Sequence, residues 1–411
     1  MAWDALVPEN APPFLEHAWL AALEACGNVG GDTGWVPLHL ACFDNGAPDR
    51  SGAEGEARPD RSGAEGEARP DRSGAEGEAR LVAAMPLYAK TNSEGEFVFD
   101  WAWAEAAPRF GVRYYPKLVA AIPFTPVTGP RVLVRDPAQK PELVRMFSRV
   151  LDELAKELQA SSVHVLFPTA EEAALFEAGG WTHRKGLQFH FENRGYATFE
   201  DFLTPFVTKK RTQIRRERSQ LARDGVRIEH ATGDQITPEL ARTMYDIYLT
   251  TVDKFSWGRR YLNRAFFETV AREMPHRLDW VLARKDGAPH DGIVAGAFNA
   301  KKGDRLYGRY WGAFEEVRFL HFNVCYYEGV DQCLRERIAV FEPGAGGEHK
   351  RARGFMPTVT HSVHRIYAPR FARAVNEFVA REAVAVEEHV REERAAFYGE
   401  RGEEEEKEGD E

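Results

Sequence analysis

Only four cysteines, Cys26, Cys42, Cys325 and Cys333, occur in 411 residues. None forms a C-x-x-C pair, which excludes the common zinc ribbons and thioredoxin-type redox motifs. They are also too few and too irregular for a disulfide framework. Such usage fits a reducing compartment, and the cytoplasm is the expected location. The chain has no run of about 18 apolar residues, so no segment reads as a membrane span. Its first residues, MAWDALVPENAPPF, lack the charged and apolar regions of a secretory signal. Without a G-x-S-x-G elbow, a serine hydrolase is disfavoured. Without Gly-Lys-Ser/Thr there is no Walker loop, and no His–carboxylate pair has metal-ligand spacing, so no metal is expected.

What is present suits a globular protein of two domains: 43% hydrophobic and 12% aromatic residues in a long chain. The net charge of −10 is unevenly placed, because residues 381–411 carry 13 acidic and 5 basic residues. Three copies of an acidic repeat carry −1 each, which leaves the body of the chain close to neutral, at +1. An acidic overall balance therefore says nothing against a polyanionic ligand, and local patches must decide.

Residues 12–26 read as an amphipathic helix and Trp35–Phe43 as a strand. Between that strand and Leu81–Lys90, the sequence PDRSGAEGEAR occurs three times without change. It has no apolar face beyond alanine, so residues 48–80 are expected to be a disordered insertion at a hairpin tip. LVAAMPLYAK and EFVFDWAW read as paired strands across Asn92–Gly95, and 107–130 as a structured loop. A helix over 141–158, a strand over 161–167, a helix over 171–178 and a strand over 181–193 follow. The second half has a similar order. A helix capped by Thr204 ends at Gly225, and a strand spans 226–231. Helices start at Thr237-Pro238 and at Asn263. Three strands span 278–313, then come a helix over 319–337, the strand IAVFEP and a last helix over about 370–396. The glutamate run from Gly399 should be solvated. Two similar mixed α/β units result, 1–192 and 193–398, with an acidic tail over 399–411.

Four stretches carry chemistry. The helix KKRTQIRRERSQLARDG holds Lys209, Lys210, Arg211, Arg215, Arg216, Arg218 and Arg223; its basic face suits phosphates of RNA or a nucleotide. The plain alternative is a solvated face paired with Glu217 and Asp224. The loop FEPGAGGEHKRARG offers Gly344, Gly346 and Gly347, which permit positive φ and a nest of N–H groups for an anion, beside Lys350, Arg351 and Arg353. The alternative there is a tight turn. Glu342, Glu348 and His349 place titratable groups at that loop, as proton transfer requires. LHFNVCYYEG puts His321 and Cys325 on one helix face, although aromatic faces of this kind are usually core. Finally, THSVH at 360–364 contains a serine and two histidines with no partner visible in sequence.

KKRTQIRRER, YGRYWG, LHFNVCYYEG and FEPGAGGEHKRARGFMP together resemble the family of N-acyltransferases named for peptidoglycan biosynthesis or recognition. The resemblance extends to LVAAMPLYAK, DWAW and the closing helix, and omits the repeat and the tail. That family is related to the Fem-type peptidyl transferases, which pass amino acids from aminoacyl-tRNA to a cell-wall precursor. The resemblance implies two tandem GNAT-like domains with mixed central sheets, and transfer of an acyl or aminoacyl group to an amine. It implies His321, Glu342, Glu348 and His349 as catalytic candidates. Gly344, Gly346, Gly347, Lys350, Arg353, Lys209, Lys210, Arg211 and Arg215 are candidates for holding the donor. No permanently bound cofactor is expected; acyl-CoA or aminoacyl-tRNA would be the co-substrate, and a small molecule or peptide amine the acceptor. The run RARG lacks the last element of a CoA phosphate loop. The family pattern has a carboxylate where this chain has Asn323. Two readings follow: an enzyme in which Glu342 or Glu348 is the base, or a binding module that recognises a glycan, peptide or RNA without turnover.

Overall fold

The computed structural model describes residues 1–44, 79–254 and 259–399; the triple repeat as far as residue 78, and with it the expected disorder there, lies outside the described residues, as does the acidic run from residue 400, whereas the repeat's last residue, Arg80, already belongs to a strand. The first half contains α1 (His17–Ala25), β1 (Trp35–Pro37), β2 (Leu40–Asp44), β3 (Arg80–Met85), β4 (Leu87–Lys90), α2 (Trp101–Ala106), β5 (Lys117–Ala120), β6 (Leu133–Val134), α3 (Lys140–Glu157), β7 (Ser162–Leu166), α4 (Ala170–Ala178) and β8 (Thr182–Glu192). The second contains α5 (Phe199–Leu203), α6 (Thr208–Arg223), β9 (Val226–Thr232), α7 (Pro238–Val252), α8 (Arg264–Glu273), β10 (Leu278–Lys285), β11 (Ile293–Lys302) and β12 (Arg305–Ala313). Next comes α9, a helix in three parts: Leu320–Phe322, one π-helical turn over Asn323–Tyr327, and Glu328–Glu336. The chain ends with β13 (Val340–Glu342), β14 (Met356–Ile366) and α10 (Pro369–Tyr398).

These elements make a mixed α/β protein on one eleven-stranded sheet, in the order β1-β4-β5-β7-β14-β8-β13-β12-β11-β10-β9, with a small sheet β2-β3-β6 beside it. The large sheet does not divide at residue 192. β14, from the end of the chain, pairs with β7 and β8, and β8 in turn pairs with β13. The start of the chain makes the reverse crossing. Phe14 and Trp19 enter the same core as Phe266, Phe298 and Tyr307, with Trp19 packed edge-on against Phe266 at 4.9 Å. Glu16 fixes this crossing through Arg277 at 2.9 Å and Lys302 at 3.0 Å. α10 lies across both halves, pairing Arg184–Glu382 in the first and Arg394–Glu192 at the seam, and packing Phe397 on Phe206 in the second.

Local rules explain most elements. α3 buries Leu143, Val144, Phe147, Leu151 and Ala155, the three-and-four spacing of an apolar helix stripe. Thr237 accepts from the Leu240 N–H with Pro238 in the first turn, and Asn263 accepts from the Phe266 N–H, so both expected caps form. β2 and β3 pair antiparallel as far as Asp44–Arg80, so the repeat joins the ends of a hairpin.

Three expectations need correction. EFVFDWAW does not pair with β4, which lies between β1 and β5; its second half is α2. Buried Lys117 explains this, since its ammonium takes Glu96 at 2.8 Å and also Asp100, fixing the chain at the start of α2. Thr204 does not cap the basic helix. Thr198 and Asp201 form a capping box on α5 instead, and α6 starts separately at Thr208. β14 carries no strand pattern in the sequence, because half of its buried residues are polar: Thr360, Ser362 and His364.

α9 is held against the sheet by His230, whose ring nitrogens meet Asp279 at 2.6 Å and Glu328 at 3.0 Å. Burial alone would lower its pKa, but hydrogen bonds and charge from Asp279 and Glu328 outweigh that and raise it from 6.5 to about 9. Because the folded value lies above the unfolded one, this stabilisation is full below pH 6.5 and is lost as pH rises through about 9. His230→Gln should therefore cost about 2 kcal/mol at pH 6 and little at pH 10. Urea unfolding at the two pH values measures it, and an equal loss at both would refute the ion-pair account.

Candidate functional site

β12 and β13 run parallel and pair over three residues, Arg305↔Val340, Leu306↔Phe341 and Tyr307↔Glu342. They then part. Pro343 has no N–H to continue the ladder, and Gly344 turns away at φ +90°. Gly308 makes the close approach possible: a Cβ there would stand 3.2 Å from Pro343 Cα. β12 also carries an irregularity against β11 at Phe298/Asn299, so its remaining residues to Ala313 are re-aimed. A cavity of about 370 Å³ opens where the strands separate. Phe97 and Pro126 of the first half form one wall, His321, Cys325 and Tyr326 of α9 another, and the glycine loop with His349 and Lys350 the rim. A second hollow of about 660 Å³ lies beyond Trp311 and His321, which line both.

The proton-active groups sit at the junction. Tyr326 Oη is 2.9 Å from His349 Nε2 and 3.5 Å from His321 Nε2. The His321 ring lies on Trp311 at 4.3 Å. Burial, then the nearby His349, Arg353 and Lys350, push the His321 pKa down to about 4. His349 is shifted the same way by burial, Lys350 and Arg353, and remains the more exposed of the two. Both imidazoles are thus neutral at pH 7, while burial keeps the Tyr326 phenol protonated. The chain can accept a proton at one end and supply one at Tyr326. The π turn of α9 carries Tyr326 into this position; its spacing departs from 3.6 residues, so the sequence pattern gave it only as core.

The other candidates take different places. Glu342 is buried on the sheet face opposite Phe341, bonded to Arg305 at 2.7 Å and 4.0 Å from His190 Nε2. It does not join His321 and His349. The side chain of Glu348 lies outside the described residues. Gly344, Gly346 and Gly347 all have positive φ, as the loop reading expected. Lys350, however, spends its ammonium inside that loop, on the carbonyls of Gly344 at 2.6 Å and Ala345 at 3.3 Å, and burial first of all lowers its pKa to about 8. Arg353 is also turned inward. It donates to the His349 carbonyl at 3.0 Å and to Glu217, and lies 3.2 Å over the Phe322 ring.

The basic helix is partly neutralised. Arg211 holds the Phe206 carbonyl and Thr208, Arg215 pairs with Glu200, and Arg218 pairs with Asp331. Lys210 is half-buried and bonds Gln213, whereas Lys209 is exposed. Of the THSVH group, Ser362 meets His364 at 2.9 Å and His364 meets His164 at 2.6 Å, all buried in the first half beneath Trp103. Burial drives the His364 pKa far down, which leaves it unsuited to a solvent-reaching base. Among the described residues no group of acidic, His and Cys side chains is arranged to hold a metal ion, and no helix is long and apolar enough to cross a membrane.

Asn323, the departure from the family pattern, does not line the cavity. It is buried, and its amide donates to the carbonyls of Glu217 and Phe319, both at 3.0 Å, tying α9 to α6. Asn323→Asp would set a carboxylate against two carbonyl oxygens. We expect it to cost about 2–4 kcal/mol in urea unfolding. A neutral result would mean that α6 and α9 are held by something else.

Over residues 1–397 the chain matches the family described as FemAB-like, peptidoglycan biosynthesis/recognition. No curated protein matches it. Solved structures that it resembles include FemX, at 13% identity and TM-score 0.49, covering 91% of this chain and 97% of that one. L-PGS from Bacillus licheniformis is similar at 10% identity and TM-score 0.47, over 74% of this chain and 86% of the other. A tandem GNAT protein from the clavulanic acid biosynthesis pathway gives 12% identity and TM-score 0.37, over 71% and 80%.

Proposed function

The chain belongs to the FemAB-like family of peptidoglycan biosynthesis/recognition, and from that premise we propose that it is an acyl-transferring enzyme acting on an amine. The donor is an ester or thioester, with aminoacyl-tRNA preferred over acyl-CoA; the acceptor is a small molecule or peptide carrying a primary amine. One observation carries the reading: a neutral His349–Tyr326–His321 chain opens onto a cavity where two parallel strands part. Amine attack on an acyl carbon needs a base for the amine proton and an acid for the leaving group. His349 takes the first role and Tyr326, which holds its proton, the second. Proton passage from His349 to Tyr326 restores the pair. His321 positions the phenol. Lys350 keeps the loop in shape and is not a base, and exposed Lys209, Arg216 and Arg223, with half-buried Lys210, are the cations of α6 left for a polyanionic donor.

The test is transfer of label from mixed aminoacyl-tRNA, and in parallel from acetyl-CoA, to a lysine-containing peptide. His349→Ala and Tyr326→Phe should each lower turnover by about 10²–10⁴-fold while the chain stays folded. The depressed His349 pKa places the acid limb of the pH–rate profile below the ordinary imidazole value of 6.5, since activity is lost only when that ring becomes charged. Binding of tRNA or peptide without any transfer would instead make this chain a recognition module. Lys350→Met should leave stability nearly unchanged or raised, because a buried charge is removed, yet loosen Gly344–Gly347 and lower turnover by about tenfold or more. Unaltered turnover in that variant would refute its bracing role.

A further inference from the structure

The first half holds a second concave site. α3, α4 and the end of β14 enclose a groove of about 420 Å³ that shares no residue with the cavity beside α9. Its floor is apolar, formed by buried Val144 and Phe176 with Leu175 beside them. Its rim is Arg145, Ser148 and Arg149, which the three-and-four spacing of α3 sets on one face. Both arginines are exposed, and among the described residues neither has an ion pair or a hydrogen bond. Glu142 and Glu153, each about one turn away on α3, form no ion pair with them. The acid of the groove is already engaged. Asp152 takes Arg365 at 3.1 Å on one carboxylate oxygen and the Tyr367 hydroxyl at 2.9 Å on the other. Arg365 is fixed in turn by the Gly179 carbonyl at 2.7 Å and lies over the Trp181 ring. The rim thus carries two guanidinium charges without a counter-charge. Between them, Ser148 Oγ accepts the Nε1–H of buried Trp181 at 2.8 Å. Ser148 is half-buried and lines the groove, and its own O–H remains available to donate there.

We propose that this groove binds a phosphate monoester. Arg145 and Arg149 hold the phosphate, Ser148 donates to a further oxygen, and the organic body lies on Val144, Leu175 and Phe176. Charge and shape select this ligand. A phosphate monoester carries close to two negative charges above neutral pH, one for each arginine, and presents three acceptor oxygens to the guanidinium forks and the hydroxyl. A carboxylate brings one charge and leaves an arginine without a partner. Inorganic phosphate matches the rim and leaves the apolar floor uncovered, whereas the volume is that of a site for a small organic molecule. The proposal is independent of the transferase reading, because no group of the proton chain lies in the groove.

Two sources offer this chemistry, a soluble ester and a lipid headgroup, and two titrations of the full chain at pH 8 distinguish them. The first is calorimetric, with phenyl phosphate as probe and benzoate and inorganic phosphate as comparisons. The second is co-sedimentation with phosphatidylcholine vesicles that contain phosphatidic acid. Saturable binding of phenyl phosphate, about tenfold or more tighter than either comparison, assigns the groove to a soluble ester. Sedimentation with the vesicles that is lost in the Arg145→Gln/Arg149→Gln double variant assigns it to a lipid phosphate. In the arm that responds, each single variant should weaken binding by about tenfold or more. Lys156→Gln removes an exposed charge from the last turn of the same helix, outside the groove, and should leave binding unchanged. No response in either arm would overturn the proposal. So would equal binding of benzoate, or a loss in Lys156→Gln as large as in the arginine variants.

Discussion

The ladder between β12 and β13 ends after three residue pairs, and the cavity depends on that ending. Parallel strands joined through α9 would ordinarily continue side by side, because every further two residues add two hydrogen bonds. Here Pro343 withdraws the donor, Gly344 takes a conformation that other residues avoid, and the irregularity in β12 shifts the facing strand. None of these features would suffice alone. Together they leave a wedge in the middle of a continuous sheet, bounded by backbone on two sides and by α9 on a third. Gly329 lets α9 lie close over this region, since a Cβ there would stand 2.3 Å from the Phe341 ring.

A wedge in the centre of a sheet is mechanically exposed, and the exchange of chain ends compensates for it. β8 lies between β14 and β13, so the seam is spanned by pairing from both halves of the chain. The N-terminal segment packs into the second half's core, and α10 returns along the first half and reaches Arg351 of the glycine loop through Glu393. Opening the cavity wider would disturb an extended strand ladder, a shared core and a long helix at once. That coupling gives a rigid frame for side chains that must meet within hydrogen-bond distance.

Periodicity and caps made the regular elements legible: α3, α7, α8 and the β10–β12 meander lie close to where their patterns place them. The failures share a cause. EFVFDWAW alternates like a strand, but the buried Lys117 with Glu96 and Asp100 decides its path, and a tertiary charge cluster leaves no trace in local pattern. β14 hides because Thr360, Ser362 and His364 face inward, satisfied by partners such as His164 that are distant in sequence. At the site, the loop glycines and the two histidines were legible from composition and positive-φ chemistry. Which cations were free was not, since Lys350, Arg353 and Arg211 each found an acceptor that only the fold brings near.

That last point changes the electrostatic character of the site. A run of lysine and arginine in sequence suggests a cradle for anions. In the fold, Glu217 lies buried beneath it, takes Arg353 and Tyr327, and turns the Arg353 guanidinium inward. The remaining positive field has a different effect: acting with burial, Lys350 and Arg353 hold His321 and His349 neutral. For the proposed transfer, a neutral base beside fixed cations suits an amine acceptor, which is protonated in water at pH 7 and must lose that proton before it can attack. The cations disfavour the ammonium form near the loop, so the acceptor sheds that proton to solvent and the imidazole stays neutral for the proton released on attack. The same charges that look like a ligand cradle in the sequence thus work, in the fold, on the protonation state of the two imidazoles.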